Sequence, residues 1–134
     1  MADRHDAGIL DTCTYIDLAT LNPRDLPRFP ALTSITMAEL HQGIAMAKDP
    51  LVRAARTEQL GAALTEFTPL KFDDEAAARY GTLVTLTIAA NRDPKPRRLD
   101  LMIAAVASAS GLPLYTRNAA DFKGLESMLE MVAV

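Results

Sequence analysis

A single cysteine, Cys13, rules out an internal disulfide and any zinc cluster built from thiolates. The two histidines, His5 and His41, share no ligand-like spacing, so imidazole metal chemistry is not expected either. No apolar stretch reaches membrane-crossing length, because Asp, Lys or Arg interrupts every candidate. Met1 to Asp6 is polar and lacks the apolar core of a signal peptide, and a reducing cytoplasm fits the cysteine usage. The six glycines are scattered, so no loop is built to cradle phosphates. A positive net charge is also missing: the balance is −3, which gives no overall attraction to nucleic acid and leaves any such binding to local patches or a bound cation. What remains is globular: 134 residues, 49% hydrophobic and 23% charged, the size of one domain over residues 1–134, with 1–7 expected as a flexible tail.

Helical and strand-like patterns alternate along the chain. Gly8-Ile9-Leu10 reads as a short buried strand, and Asp11 or Thr12 caps a helix from Cys13 to about Ala19. The stretch from Asn22 to Pro30 holds three prolines and reads as loop. Leu32 to Ile35 is β-prone. Thr36 then resembles an N-cap, with Glu39 placed to complete a capping box and Met37, Leu40 and Ile44 at helical spacing. A helix opens at Pro50 behind Asp49 and runs to about Glu66, and Phe67 to Lys71 is a weak strand candidate. Asp73 opens a long amphipathic helix through Ile88. A further helix follows Leu99 and stops at Gly111, Leu112 to Thr116 forms a strand, and Met131 to Val134 a last one. Such alternation predicts an α/β fold: a mostly parallel sheet of four or five strands, with helices on both faces and ligands outside the carboxyl ends of the strands.

Four acids fall at element ends: Asp11, Glu39, Asp100 and Asp121. Each has a local explanation. Asp11 suits a helix cap, Glu39 a capping box, Asp100 the dipole of its helix, and Asp121 a solvated turn. If the fold gathers them, their mutual repulsion calls for a divalent cation, Mg²⁺ or Mn²⁺. The loop from Arg92 to Arg98 carries four positive residues against one acid and leads straight into Asp100, so it would flank such a cleft and hold backbone phosphates. Cys13 reads as a small buried apolar side chain. Asp17 faces either solvent or the same cleft.

Four segments together resemble one family. Gly8–Tyr15 (GILDTCTY), Thr36–Gly43 (TMAELHQG), Arg98–Ala105 (RLDLMIAA) and Gly111–Phe122 (GLPLYTRNAADF) are similar, in order and spacing, to the four acidic segments of PIN-domain ribonucleases, and the compact length is that of the VapC-type toxins of bacterial toxin–antitoxin pairs. The resemblance implies a three-layer α/β/α fold. It implies Asp11, Glu39 and Asp100 as metal-binding acids, with Asp121 as fourth catalytic acid and Asn118 as a neutral oxygen ligand. Thr12, Thr116, Arg97, Arg98 and Arg117 are the implied substrate contacts. It further implies Mg²⁺ as cofactor, with Mn²⁺ as a substitute, cleavage of RNA (tRNA or another structured RNA) by an activated water, a homodimer, and a VapB-type antitoxin covering the cleft. Two other readings stand beside it. A phosphotransferase with Asp11 as nucleophile would want an acid where Cys13 stands. A non-catalytic binding module would dock a partner on Tyr15, Ile16, Met37, Leu40 and Ile44, residues whose default use is core packing.

Overall fold

The computed structural model describes residues 6–134. His5 and most of the expected tail lie outside them; Ala7 already belongs to the first strand. Four short strands form one parallel sheet: β1 (Ala7–Leu10), β2 (Phe29–Ala31), β3 (Leu114–Thr116) and β4 (Met131–Ala133), in the order β2-β1-β3-β4. Five α-helices connect them: α1 (Thr12–Ile16), α2 (Ser34–Met46), α3 (Pro50–Glu66), α4 (Asp74–Ala89) and α5 (Arg98–Ser110).

Strand alternation divides the interior in two. Ile9 pairs in register with Leu114, and Leu10 with Tyr115; neighbouring residues on a strand point to opposite faces. Ile9 and Leu114 therefore enter one core with Leu83 of α4 and Leu101, Ile103 and Val106 of α5. Leu10 and Tyr115 enter the other, with Tyr15 of α1, Met37 and Leu40 of α2, and Leu60 of α3. Helices thus cover both faces of the sheet, as the alternating pattern predicts. α5 is apolar nearly all round because it is buried nearly all round, with Leu101 to Ala107 almost wholly inside apart from Met102.

Helix starts follow side-chain chemistry. Asp49 and Asp73 accept the Leu51 and Ala76 N–H groups at 2.9 Å, opening α3 at Pro50 and α4 at Asp74. Gly111 closes α5 in the left-handed region, at φ +66°.

Three expectations are corrected on the β2 side. The proline-rich stretch is not all loop: it contains a 3-10 turn, Pro23–Asp25, and then β2, which includes Pro30. β2 is an edge strand, where a missing N–H does no harm. Leu32 to Ile35 is not a strand, because Thr33 caps α2 by accepting the Thr36 N–H at 3.2 Å. The candidate strand at Phe67 to Lys71 shrinks to a single bridge, Leu70 beside Thr33. The first helix is also shorter than its pattern suggests, giving way after Ile16 to a 3-10 turn at Leu18–Thr20.

Gly8 is required by packing. A Cβ there would lie 2.5 Å from Cε1 and 2.8 Å from Cδ1 of Tyr115, whose ring is buried. Gly8→Ala is expected to destabilise the protein by about 1–3 kcal/mol, the usual cost of overpacking a filled core, and urea unfolding measures it. An unchanged midpoint would mean that the ring can move aside.

Candidate active site

β1 lies at the point where the chain changes direction across the sheet: its successor β2 sits on one side and β3 on the other. Strand ends at such a switch point open into a crevice. Asp11 leaves the end of β1 with its N–H donating to the Tyr115 carbonyl at 3.1 Å, so it is stitched to the end of β3. It is only 5% exposed. Its Oδ1 accepts the Thr14 N–H at 2.9 Å, so the capping role is real, and it leaves the second carboxylate oxygen for other work.

Glu39 reaches the same place from α2. With the cap at Thr33, Glu39 falls in the second turn and takes no part in a capping box with Thr36. Its Oε1 accepts the Thr12 hydroxyl at 2.8 Å. Asp100 enters from the first turn of α5, where no side chain caps the helix.

The pKa shifts show that these groups feel one another. Partial burial raises the Glu39 carboxyl above its ordinary range; the Thr12 hydrogen bond opposes this, and Asp100 and Asp11 push it further up. Asp100 is likewise raised, first by burial, then by Asp11 and Asp121, with the Arg97 guanidinium pulling the other way. The dipole of α5 favours an ionised Asp100 as well, yet burial and the neighbouring acids outweigh both. Cys13 is exposed, which corrects the buried reading: on α1 it shares the outward face with Ile16, while Thr12, Thr14 and Tyr15 turn inward. Its thiol pKa is raised, first by partial desolvation and then by Asp11, Asp100, Glu39 and Asp17.

The remaining expected residues take different places. Asp121 comes to the edge of the group, but its Oδ1 is paired with Arg97 at 3.0 Å, and Arg97 also donates to the Asp121 carbonyl at 3.0 Å. Arg97 is therefore tied down as a counter-ion. Arg117 pairs with Asp17 at 3.0 Å, which settles Asp17 at the surface. Thr116 is fully buried, and its hydroxyl accepts the Asn118 N–H at 3.0 Å, so it shapes the turn at the end of β3. Thr12 is similarly committed, to Glu39 and to Thr36. Asn118 itself is exposed at the end of β3.

Arg98 remains exposed, and with Lys95, Pro96 and Leu99 it faces Glu39 and Asp100 across an open cleft of about 330 Å³. Thr36 is not the cap of α2 but packs its hydroxyl 3.0 Å from that of Thr12, beside Glu39. Its spacing of three from Glu39 on a helix is the signal that could have found it.

Among the described residues, no group of three or more His, Cys, Asp or Glu side chains is already arranged to hold a metal ion. The donor chemistry nevertheless fits a hard cation. The neighbouring acids offer carboxylate oxygens, and Mg²⁺ keeps several waters and asks for only one or two carboxylates.

The chain is an open parallel sheet layered between helices, with acids near its switch point. No protein-family model matches the chain. It is 35% identical over 125 residues to the ribonuclease VapC5 of Mycobacterium tuberculosis, covering 90% of this chain and 88% of that protein. The crystal structure of VapBC-5 from the same organism, a member of the VapBC toxin–antitoxin family, superposes with a TM-score of 0.84 at 34% identity, over 96% of this chain and 99% of that one. VapBC-1 of nontypeable Haemophilus influenzae shares the fold, with a TM-score of 0.73 at 20% identity over 95% and 97% of the two chains. The chain belongs to the VapC-type toxins, PIN-domain ribonucleases of toxin–antitoxin systems.

The raised Asp100 pKa carries a stability consequence. A carboxyl whose folded pKa lies above its unfolded one weakens the fold when it ionises. The cost is absent below the unfolded carboxylate range and fully present above the folded pKa. In metal-free buffer, Asp100→Asn is therefore expected to be more stable than wild type at neutral pH, with the gap closing as pH falls through the carboxylate range. Urea melts across that range in EDTA test this. A wild type more stable than the variant at neutral pH would contradict it.

Proposed function

We propose that this protein is a metal-dependent endoribonuclease acting as the toxin of a toxin–antitoxin pair. The observation that supports the reading is geometric: Glu39 and Asp100 line one cleft, and Glu39 accepts the hydroxyl of Thr12, the residue after Asp11. Family membership supplies the class of reaction. Asp11, Asp100 and Glu39 would hold the cation, with Asn118 and Asp121 at the margin of the set. Bound Mg²⁺, or Mn²⁺ in its place, supplies Lewis acidity toward water and toward a phosphodiester.

The chain's own residues do the rest. Asp11 is fixed by its bond to Thr14 and Glu39 by its bond to Thr12, so both carboxylates are oriented before any ligand arrives. Lys95 and Arg98, on the wall of the cleft facing Glu39 and Asp100, hold phosphates flanking the scissile one. Arg97 restrains Asp121 and limits how much negative charge the incoming RNA meets. Single-stranded loops offer unstacked bases, which makes a structured RNA such as a tRNA the natural substrate class.

A VapB-type antitoxin is the proposed partner, on the ground that the solved relative belongs to the VapBC family. An adjoining concavity of about 230 Å³, lined by Ile16, Leu40, Gly43, Arg56 and Gln59, shares Glu39 with the acidic cleft. An apolar antitoxin segment seated there would close the site from the side. Tyr15, Met37 and Leu40 are mainly core, so little of the groove imagined for a pure binding module remains beyond Ile16 and half-buried Ile44. A homodimer is proposed from the family alone.

The test is cleavage of RNA by purified protein in Mg²⁺, with EDTA as control. Asp11→Asn keeps a good helix cap and removes the charge. It is expected to lower cleavage by about 100-fold or more, since even outer-sphere supports of a metal site typically contribute 10–100-fold. Wild-type activity in Asp11→Asn, or undiminished cleavage in EDTA, would reject the reading.

A further inference from the structure

Two threonines on neighbouring helices form a chain of hydroxyls that ends on Glu39. The Thr36 and Thr12 hydroxyl oxygens are 3.0 Å apart, and Thr12 donates to Glu39 Oε1 at 2.8 Å. A hydroxyl has one proton. Since the Thr12 proton goes to the Glu39 carboxylate, Thr36 must be the donor in the first bond. The chain therefore has a direction, from Thr36 through Thr12 to Glu39. Thr36 is fully buried and Thr12 is 6% exposed, so water does not stand ready to replace either.

The local structure explains how the chain arises. Thr33 satisfies the Thr36 N–H and starts α2, which puts Thr36 and Glu39 one turn apart on the same helix face. Thr12 is the first residue of α1, directly behind Asp11, and Asp11 caps that same helix. A shift of α2 against α1 would therefore move Glu39 relative to Asp11 unless something locks the two helices in register. Successive hydrogen bonds in a buried chain also strengthen one another.

We infer that Thr36 is a positioning residue for the acidic site, acting through Thr12 to hold the Glu39 carboxylate beside Asp11 and Asp100. The inference rests on the proposed reading of those acids as cation ligands. Thr36 touches neither cation nor RNA. Its effect passes entirely through the Thr12 hydroxyl, and that makes it separable from a buried threonine that merely fills space.

The experiment compares wild type, Thr36→Val, Thr36→Ser, Thr12→Val and the Thr12→Val/Thr36→Val double variant. Three quantities are read: Mn²⁺ affinity by electron paramagnetic resonance on the metal-free protein, kcat/KM for RNA cleavage in Mg²⁺, and the melting temperature. Thr36→Val is expected to fold and to lose about 10–100-fold in Mn²⁺ affinity and in kcat/KM, the range for losing a group that orients a ligand. Thr36→Ser is expected to recover most of both. In the Thr12→Val background, Thr36→Val is expected to add nothing. Wild-type Mn²⁺ affinity in Thr36→Val, failure of Thr36→Ser to recover it, or additive losses in the double variant would each overturn the inference. Should Thr36→Val melt below the assay temperature, Thr36→Ala takes its place with the same outcomes. Mn²⁺ binding that depends on Thr36 in a wild type that cleaves no RNA would sustain the positioning role and sink the nuclease reading. Cleavage that is indifferent to Thr36 would do the reverse.

Discussion

The structure turns on a repulsion. Two adjacent parallel strands, β1 and β3, end side by side, and the Asp11 N–H is bonded to the Tyr115 carbonyl across them. That pairing fixes a buried carboxylate at the deepest point of the crevice. α2 and α5 then bring Glu39 and Asp100 to the same opening. Burial raises the pKa of both, Asp11 raises both further, and Asp100 adds to the rise at Glu39. Partly buried like charges gathered at one opening favour a bound cation, and that is the use proposed for this crevice.

The rest of the site moderates that repulsion without removing it. Thr12 lends a hydrogen bond to Glu39, and the dipole of α5 favours the charge on Asp100. Arg97 neutralises Asp121 at the margin, and Arg117 does the same for Asp17 further out. The acids are thus graded. Asp121 and Asp17 are paired with arginines, Asp11 and Glu39 accept from neutral donors, and Asp100 is moderated by the Arg97 guanidinium. Lys95 and Arg98 line the same cleft as Glu39 and Asp100, a local positive group in a chain whose net charge is −3.

Much of this architecture was legible in the amino-acid pattern, for identifiable reasons. α3 and α4 open on aspartate caps and α5 stops on a left-handed glycine; these are local rules, and the long helices obey them. Buried runs at Gly8–Leu10 and Leu112–Thr116 mark the two central strands. The β2 region was opaque because Pro30 is tolerated only at a sheet edge, and edge position is a property of the whole sheet. The start of α2 was displaced by three residues because Thr33 and Thr36 are equally good caps by type, and only the packing of Thr36 against Thr12 chooses between them. Asp11 and Asp100 could be picked out from their positions at helix starts, whereas Glu39 lies in the second turn of α2 and was marked only by the segment around it. The pairing of Asp121 with Arg97 could not, because it joins residues on two loops whose approach depends on how the loops fold over the sheet. Cys13 was misjudged for the same kind of cause: a free cysteine is usually buried, but α1 packs Thr12, Thr14 and Tyr15 inward and leaves Cys13 on its outer face.

The central claim, that β1, α2 and α5 meet to form a cation site, is tested most directly by a crystal soaked in Mn²⁺ and measured at the manganese absorption edge. The account predicts an anomalous peak within ligand distance of the Asp11 and Asp100 carboxylates, with Glu39 bonded to it directly or through water. Strong Mn²⁺ peaks elsewhere on the molecule, with none between those side chains, would contradict it.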